Sequence, residues 1–418
     1  MAKRKMERNL IAALDIGTSK IVVLIGEVTP EKQIEVIGIG RARSKGLKKG
    51  IVVNIEATVQ SIEQAVKEAE LMADVELQTA FTGIAGSHIR SLNSHGIVAV
   101  RKKEVTFKDI ERVIDAAKAV ATPADQKLLH ILLQEFIIDQ QTGIKEPLGM
   151  TGVRLEAKVH LITGGISAAQ NIVKCVKRCG LEVSDIILEQ LASSYAVLSD
   201  DEKELGVCLI DIGGGTTDVA VFIDGAIRHT IVLPIAGDQV TNDIAIALRT
   251  PTQSAEKLKL EQGGVLVKPA DAKTALTVSS PSERQGPQAT LGTLAEVMQA
   301  RYSELFTLIA NELRRCGLYD AVGAGAVITG GGSQVPDLAT LAEQTLGLSV
   351  RVGQPSNISV GHSVNVKGLA EQLNSPVYST SVGLLLYGLL QRDDLQMQLH
   401  QHQALFTRMK QWWQRQAS

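Results

Sequence analysis

One short unit occurs twice in this chain, and it restricts the fold more than any other feature. Near the start, Leu14-Asp15-Ile16-Gly17-Thr18-Ser19-Lys20 leads into the apolar run Ile21-Val22-Val23-Leu24-Ile25. Near the middle, Ile210-Asp211-Ile212-Gly213-Gly214-Gly215-Thr216-Thr217-Asp218 leads into Val219-Ala220-Val221-Phe222-Ile223. Both read as strand, glycine turn, strand, so each is expected to form a β-hairpin. A second echo follows in each half. Leu161-Ile162-Thr163-Gly164-Gly165 precedes a helical stretch from Ala168 to Cys179, and Val327-Ile328-Thr329-Gly330-Gly331-Gly332 precedes one from about Pro336 to Leu346. Strand, glycine turn and helix in succession are the grammar of a parallel α/β sheet. The repetition predicts a duplicated α/β domain with a cleft between the copies.

Between these anchors lie two insertions. Residues from about Gly83 to His160 combine strand-like alternation (Gly96 to Val100) with a helix (Lys108 to Ala119). Residues from about Gly237 to Cys316 hold two helical patterns around a loop-like middle, Ser279 to Pro287. The apolar stretch Ser381 to Leu390 reads as a buried helix. After Gln391 the chain turns polar and glutamine-rich, as a linker does. No apolar run reaches the ~18–20 residues of a spanning helix. The basic start leads into a strand carrying Asp15, not into a secretory leader. Lys and Arg total 43 against 45 Asp and Glu, a balance that gives no reason to expect nucleic-acid binding. Cys175, Cys179, Cys208 and Cys316 form no C-x-x-C pair and have no histidine at ligand spacing in the sequence. They read as buried thiols of a reducing compartment.

The residue types in the two hairpin turns suit a nucleoside triphosphate. Tight glycine turns aim backbone N–H groups inward as a nest for phosphate. Gly17, Gly213, Gly214 and Gly215 would allow that approach, and Thr18, Ser19, Thr216 and Thr217 would add hydroxyls. Asp15 and Asp211, one from each half, are the candidate holders of a hydrated Mg²⁺, and Asp218 could orient water or cap its turn. Asp15 to Thr18 alone reads equally well as an ordinary hairpin turn; the glycine-rich second run is far more specific. Lys20 could reach a phosphate or stand in solvent. Gly330, Gly331 and Gly332 fit the adenosine end of a nucleotide, or a plain strand-to-helix turn. Glu256 and Lys259, three apart on one helix face, could bracket adenine and ribose or form a surface pair.

The last segment carries a different signal. Trp412 and Trp413, the two tryptophans of the chain, fall within its last seven residues. Leu405, Phe406, Met409, Trp412 and Trp413 share an arc of roughly 120° on a helix. Arg408, Lys410 and Arg415 flank that arc. Such a face suits the headgroup boundary of an anionic bilayer, in preference to a partner chain. One short helix binds weakly, so stable residence would require several tails acting together in a polymer or cluster.

Taken together, these residues resemble the actin, sugar-kinase and heat-shock-chaperone ATPase superfamily, and within it the FtsA family of bacterial cell-division proteins. The carriers span nearly the whole chain: Asp15 to Thr18, Leu191-Ala192-Ser193-Ser194-Tyr195, Asp211 to Asp218, Arg228-His229-Thr230, Gly237-Asp238, Ala255 to Lys259, Leu294 to Val297, Ile328 to Gly332 and Tyr378 to Gly383. The basic segment before Asn9 matches no motif. The resemblance implies an α/β, actin-like (ribonuclease H-like, duplicated) two-domain ATPase fold with four subdomains and a C-terminal amphipathic helix. Its parts would be subdomain 1A (9–83 and 163–203, with 377–390 packing back on it) and an inserted subdomain 1C (84–162). Subdomain 2A (204–237 and 318–376), subdomain 2B (238–317), a linker (391–403) and a membrane-targeting helix (404–418) would follow.

The resemblance also implies ATP and Mg²⁺ as ligands, and at most slow hydrolysis, with Glu189 placed to orient water. It implies head-to-tail self-assembly at the division septum, on the cytoplasmic face of the inner membrane and its anionic lipids. The FtsZ C-terminal peptide would bind residues 238–317, where Arg301 sits at a basic contact position or is a solvated helix arginine. Later division proteins would bind residues 84–162. Two alternatives share the phosphate loops: a small-molecule kinase, and an actin-like scaffold of a pilus-type apparatus.

Overall fold

The computed structural model describes residues 9–31, 33–267, 269–279, 289–355, 366–368 and 370–392. Each half is built on a sheet of the same strand order. In the first, Leu10–Ile16 pairs antiparallel with Lys20–Val28, which pairs antiparallel with Ile34–Arg43. On its other side Leu10–Ile16 runs parallel to Thr79–Ile84, and that strand to Glu182–Leu188. In the second half, Val207–Ile212, Thr217–Ile223 and Ala226–Leu233 form the antiparallel meander, and Ala326–Thr329 and Val350–Val352 the parallel strands. Both expected hairpins form, with Ile16 opposite Ile21 and Ile212 opposite Thr217. Val366–Gly368 adds a sixth strand to the first sheet, beside Ile34–Arg43.

The strand Leu10–Ile16 is buried along almost its whole length, as the apolar run Leu10 to Leu14 requires of a strand covered on both faces. Ile55–Ala73, capped by Asn54, whose side chain accepts from the Ala57 amide, is one of the covering helices. Two others, Glu189–Val197 and the helix over 379–392, lie between the sheets. The apolar core of the first half takes in their side chains and one face of the second sheet, including Leu209, Ala220 and Val327. The opposite face of that sheet packs with the long helix Leu291–Arg315 in a second core. A Cβ on Gly383 would overlap the Ala192 carbonyl, so the two central helices touch backbone to backbone.

Several boundaries differ from the sequence expectation. The helix expected from Pro336 begins at Leu338, because Asp337 adopts φ +62° and breaks the path, with a short 3₁₀ turn at Gly331–Gln334 before it. Of the linker expected over 391–403, residues 393–403 lie outside the described residues. Gln391 and Arg392 are still helical; Gln391 donates to Asp185, and Arg392 donates to Asn9 and the Leu10 carbonyl. The thiols of Cys179 and Cys316 are only half-buried, unlike Cys175 and Cys208. Among the described residues no helix is long and apolar enough to cross a membrane.

The first insertion folds as an antiparallel sheet of its own. Its strand order is Arg90–Ala99, Arg154–Gly165, Gln126–Ile138, Gln141–Ile144, with the helix Phe107–Lys118 packed on it. A polar seam ties this sheet to the strand Ala226–Leu233 of the second half. Ser91 donates to the Thr230 carbonyl, Asn93 to that of Arg228 and Gln134 to that of Ile227. At the centre, the buried His160 bonds Asn93 through Nδ1 at 2.7 Å and Thr230 through Nε2 at 3.0 Å. Asn93 Oδ1 can only accept, so Nδ1 carries the proton and Nε2 accepts from Thr230.

Burial holds the His160 imidazole down at about 4. Its folded-state value lies below the unfolded one, so the stability of the neutral form is complete above pH 6.5 and is lost as pH falls toward 4. The expected loss across that window is about 3 kcal/mol. Urea unfolding at steps of pH should show this slope in the native protein and a flatter one in His160→Gln. Equal slopes would mean that the seam does not depend on this proton.

Candidate functional site

The two hairpin turns meet at one cleft of about 380 Å³ between the halves. The first half contributes Asp15, Gly17, Thr18, Ser19, Lys20 and Glu189 to its lining. The second contributes Asp211, Gly213, Gly214, Gly215, Thr216, Glu256, Lys259, Gly330, Gly331 and Gly332. The turns interlock closely. A Cβ on Gly214 would come within 2.7 Å of Ser19 Oγ, and one on Gly215 would press on Thr18. Glycine is therefore demanded by the approach of the opposite loop. Thr217, expected among the phosphate hydroxyls, is not part of the lining. It is fully buried and donates to the Ile235 carbonyl, because it is already the first residue of its strand and points to the other face.

Four carboxyl groups crowd the floor of the cleft. Burial raises Asp15 above the usual carboxylate range against the pull of Lys20, and raises Asp211 in the same way. Asp218 is pushed up to about 7, first by burial and then by Asp211. Glu189 is raised by burial and by Asp15, Asp218 and Asp211 together. Lys20 is itself lowered by burial and donates to the Val377 carbonyl, so it does not stand in solvent. Asp218 Oδ1 has no hydrogen-bond partner among the described residues. This concentration of acid is underbalanced by protein cations and suits a divalent ion with oxygen ligands.

Both metal-holding candidates are held by hydroxyls from the start of the 379–392 helix. Thr380 and Ser193 donate to Asp211 Oδ2, and Ser381 donates to Asp15 Oδ2 at 3.2 Å. Ser379 bonds Thr329 at 2.6 Å. Three consecutive hydroxyl residues thus clasp the two halves at the cleft floor. The cue in the sequence was a polar triplet opening an otherwise apolar helix.

At the far end, Lys259 pairs with Glu256 at 2.7 Å and donates to the Gly237 carbonyl and to Thr241. Lys259 is nearly buried and forms part of the wall, while Glu256, with 42% of its side chain exposed, stands at its rim. Tyr302 joins them, its buried hydroxyl without a partner among the described residues. Gly330 backs directly onto Asp211. It holds φ +82°, and a Cβ there would overlap Asp211 Oδ1. Gly330→Ala is expected to cost about 2 kcal/mol or more, while Gly331→Ala, with open space around it, should be near neutral. Thermal unfolding of both variants checks the contrast.

Arg301 lies outside the cleft. It makes a two-pronged pair with Asp243 at 2.6 and 3.0 Å and a further one with Glu304 at 2.5 Å, so it is neither free nor merely solvated. Leu405, Phe406, Arg408, Met409, Lys410, Trp412, Trp413 and Arg415 lie outside the described residues. Sequence reasoning missed Arg41, Asp238, Tyr302 and Thr380, all of which line the cleft. Arg41 and Tyr302 had no motif around them, whereas Gly237-Asp238 and Tyr378 to Gly383 were among the stretches that carry the family resemblance, without a site role.

Two sheets of like topology, joined by central helices and closed over paired hairpin turns, define the actin-like fold. Solved structures agree on that fold. The PilM-PilN type IV pilus biogenesis complex matches with a TM-score of 0.65 at 17% identity, covering 91% of this chain and 98% of its own. MreB5 of Spiroplasma citri bound to ADP matches with 0.56 at 13%, covering 93% and 98%.

At the sequence level, the model of the family "Cell division protein FtsA" matches residues 208–383, and that of the SHS2 domain inserted in FtsA matches 86–163. The cell division protein FtsA of Pseudomonas aeruginosa is 59% identical over 92% of this chain and 90% of its own length. Those of Neisseria meningitidis and Escherichia coli K12 are 46% and 43% identical, each over 91% of this chain and 90% and 91% of their own. The chain belongs to the FtsA family of cell-division proteins.

Proposed function

We propose that this protein is a nucleotide-gated scaffold of cell division, which binds ATP with Mg²⁺ in the cleft and tethers FtsZ filaments to the cytoplasmic face of the inner membrane. The observation that carries the reading is the meeting of both glycine turns over four buried, mutually repelling carboxyl groups. Asp15 and Asp211 would hold the hydrated ion, which would supply positive charge between carboxylates and phosphate oxygens. Amides of Gly17, Gly214 and Gly215 would hold the phosphates with the hydroxyls of Thr18 and Ser19; Gly213, whose own amide donates to the Thr216 carbonyl, would allow close backbone approach, and the Thr216 hydroxyl would have to turn from Asp218. Glu256, Lys259 and Tyr302 would wall in the adenosine, with Gly330 to Gly332 opposite. Glu189 would orient a water for slow hydrolysis. The solved MreB5 neighbours hold ADP or AMPPNP, which supports the nucleotide assignment.

Because the ligand would touch both halves, it would favour a closed cleft and the subunit contacts that go with it. The polymer would gather many weak tails, each inserting Leu405, Phe406, Met409, Trp412 and Trp413 with Arg408, Lys410 and Arg415 at anionic headgroups. The acidic FtsZ C-terminal peptide would dock on residues 238–317. Arg301 would exchange Asp243 or Glu304 for a carboxylate of the peptide. Residues 84–162 would meet later division proteins and the next subunit. Neither the kinase nor the pilus alternative accounts for the family assignment together with the tryptophan-bearing tail.

Vesicle co-sedimentation tests the tether. Fluorescent FtsZ tail peptide is spun with anionic vesicles and ATP, with the full chain or with a chain stopped at Gln401. The full chain should carry peptide into the pellet and the shortened one should not. A full chain that binds ATP but neither vesicles nor peptide would overturn the reading.

A further inference from the structure

We infer that His229, Glu312 and Cys316 form a zinc site that fastens the edge of the second sheet to the end of the long helix. His229 lies on the strand Ala226–Leu233, Glu312 on the last turn of Leu291–Arg315, and Cys316 is the residue that caps that helix. His229 Nε2 is 2.8 Å from Glu312 Oε1, Cys316 Sγ is 3.5 Å from the same oxygen, and Sγ is 3.7 Å from Nε2. A tetrahedral zinc with one sulfur and two lighter donors sets separations of about 3.3–3.6 Å between them. Two of the three observed separations already fall close to that range, and the third widens by about 0.5 Å through rotation of the half-buried Glu312 carboxylate. Nitrogen, sulfur and carboxylate oxygen are a donor set that zinc accepts, with water completing the fourth position. All three residues are half-buried, so an ion can enter from solvent.

The sequence conceals this cluster, because His229 is 83 residues from Glu312 and 87 from Cys316. One competitor is present. Arg315 holds Glu312 with two prongs, Nη2 to Oε1 at 2.6 Å and Nε to Oε2 at 2.7 Å. Its side chain is 69% exposed, so it can release Oε1 to the ion and keep Oε2. Binding transfers the Cys316 thiol proton to solvent and leaves a thiolate on the metal. The same strand carries Thr230 and Arg228, which meet the inserted sheet across the polar seam. A metal at His229 would therefore stiffen the support of that seam from behind.

Cobalt(II) added to the full chain, with the cleft saturated by Mg²⁺ and nucleotide, tests the site. The expected result is a near-ultraviolet thiolate-to-cobalt charge-transfer band at one equivalent, displaced by zinc. The carboxylate cleft has no sulfur and cannot produce it. Cys316→Ser should lose the band, and Arg315→Ala should bind more tightly because its competitor is gone. Zinc should also raise the melting temperature of the native chain and not of Cys316→Ser. Absence of the band in the native chain overturns the proposal. So does a band that survives in Cys316→Ser, or weaker binding in Arg315→Ala.

Discussion

Asp211→Ala is expected to weaken Mg·ATP binding about a hundredfold, through loss of a charge-assisted contact of about 3 kcal/mol. The same variant should fold, which separates this prediction from simple damage. Asp211 is a buried acid among Asp15, Asp218 and Glu189, and its removal relieves repulsion on each of them. Against that, the hydroxyls of Ser193 and Thr380 lose their acceptor. The two effects oppose, so the melting temperature of the nucleotide-free protein should move by a few degrees at most. Calorimetric titration with Mg·ATP, beside a thermal scan, reads both quantities. Normal affinity in a folded variant would remove the case for the cleft as the nucleotide site.

The second large effect lies at the other end of the chain. Trp412→Glu combined with Trp413→Glu should abolish sedimentation with anionic vesicles. Each tryptophan withdraws apolar surface worth about 2 kcal/mol from the bilayer boundary, and each glutamate adds repulsion from the headgroups. The combined loss exceeds two orders of magnitude in partition coefficient. Nucleotide binding in the cleft should be unchanged, because no residue of the cleft is altered. Unchanged sedimentation would mean that the tail contacts protein.

The duplicated architecture was legible because its signals are local. Asp15-Ile16-Gly17-Thr18 and Asp211 to Thr216 each specify a strand end and a turn within a few residues, and both hairpins form where expected. What remained hidden depends on distance along the chain. Ser381 reaches Asp15 across 366 residues, and His160 reaches Thr230 across 70. No periodicity relates such pairs. Thr217 was misplaced for a smaller reason, since a turn that ends one residue earlier sends the next side chain to the opposite face of the sheet. Glu256 and Lys259 had the spacing of a surface pair, and only the folding of Thr241 and Gly237 against Lys259 makes that lysine part of a wall.

The helix over 379–392 bears on both halves, but not equally. Ser379 and Thr380 touch the second half through single hydroxyls, at Thr329 and Asp211. The remainder is set into the first: Gly388 lies against Phe81 and Ile11, Tyr387 and Gln391 bond Asp185, and Arg392 bonds Leu10. If the cleft opens, the weak attachments yield and the helix stays with the first half. Arg392 is the last described residue before the tryptophans, so a membrane grip on the tail, as proposed, would pull on that half. On a surface that grips the tail, the first half is the stator and the second the part that swings.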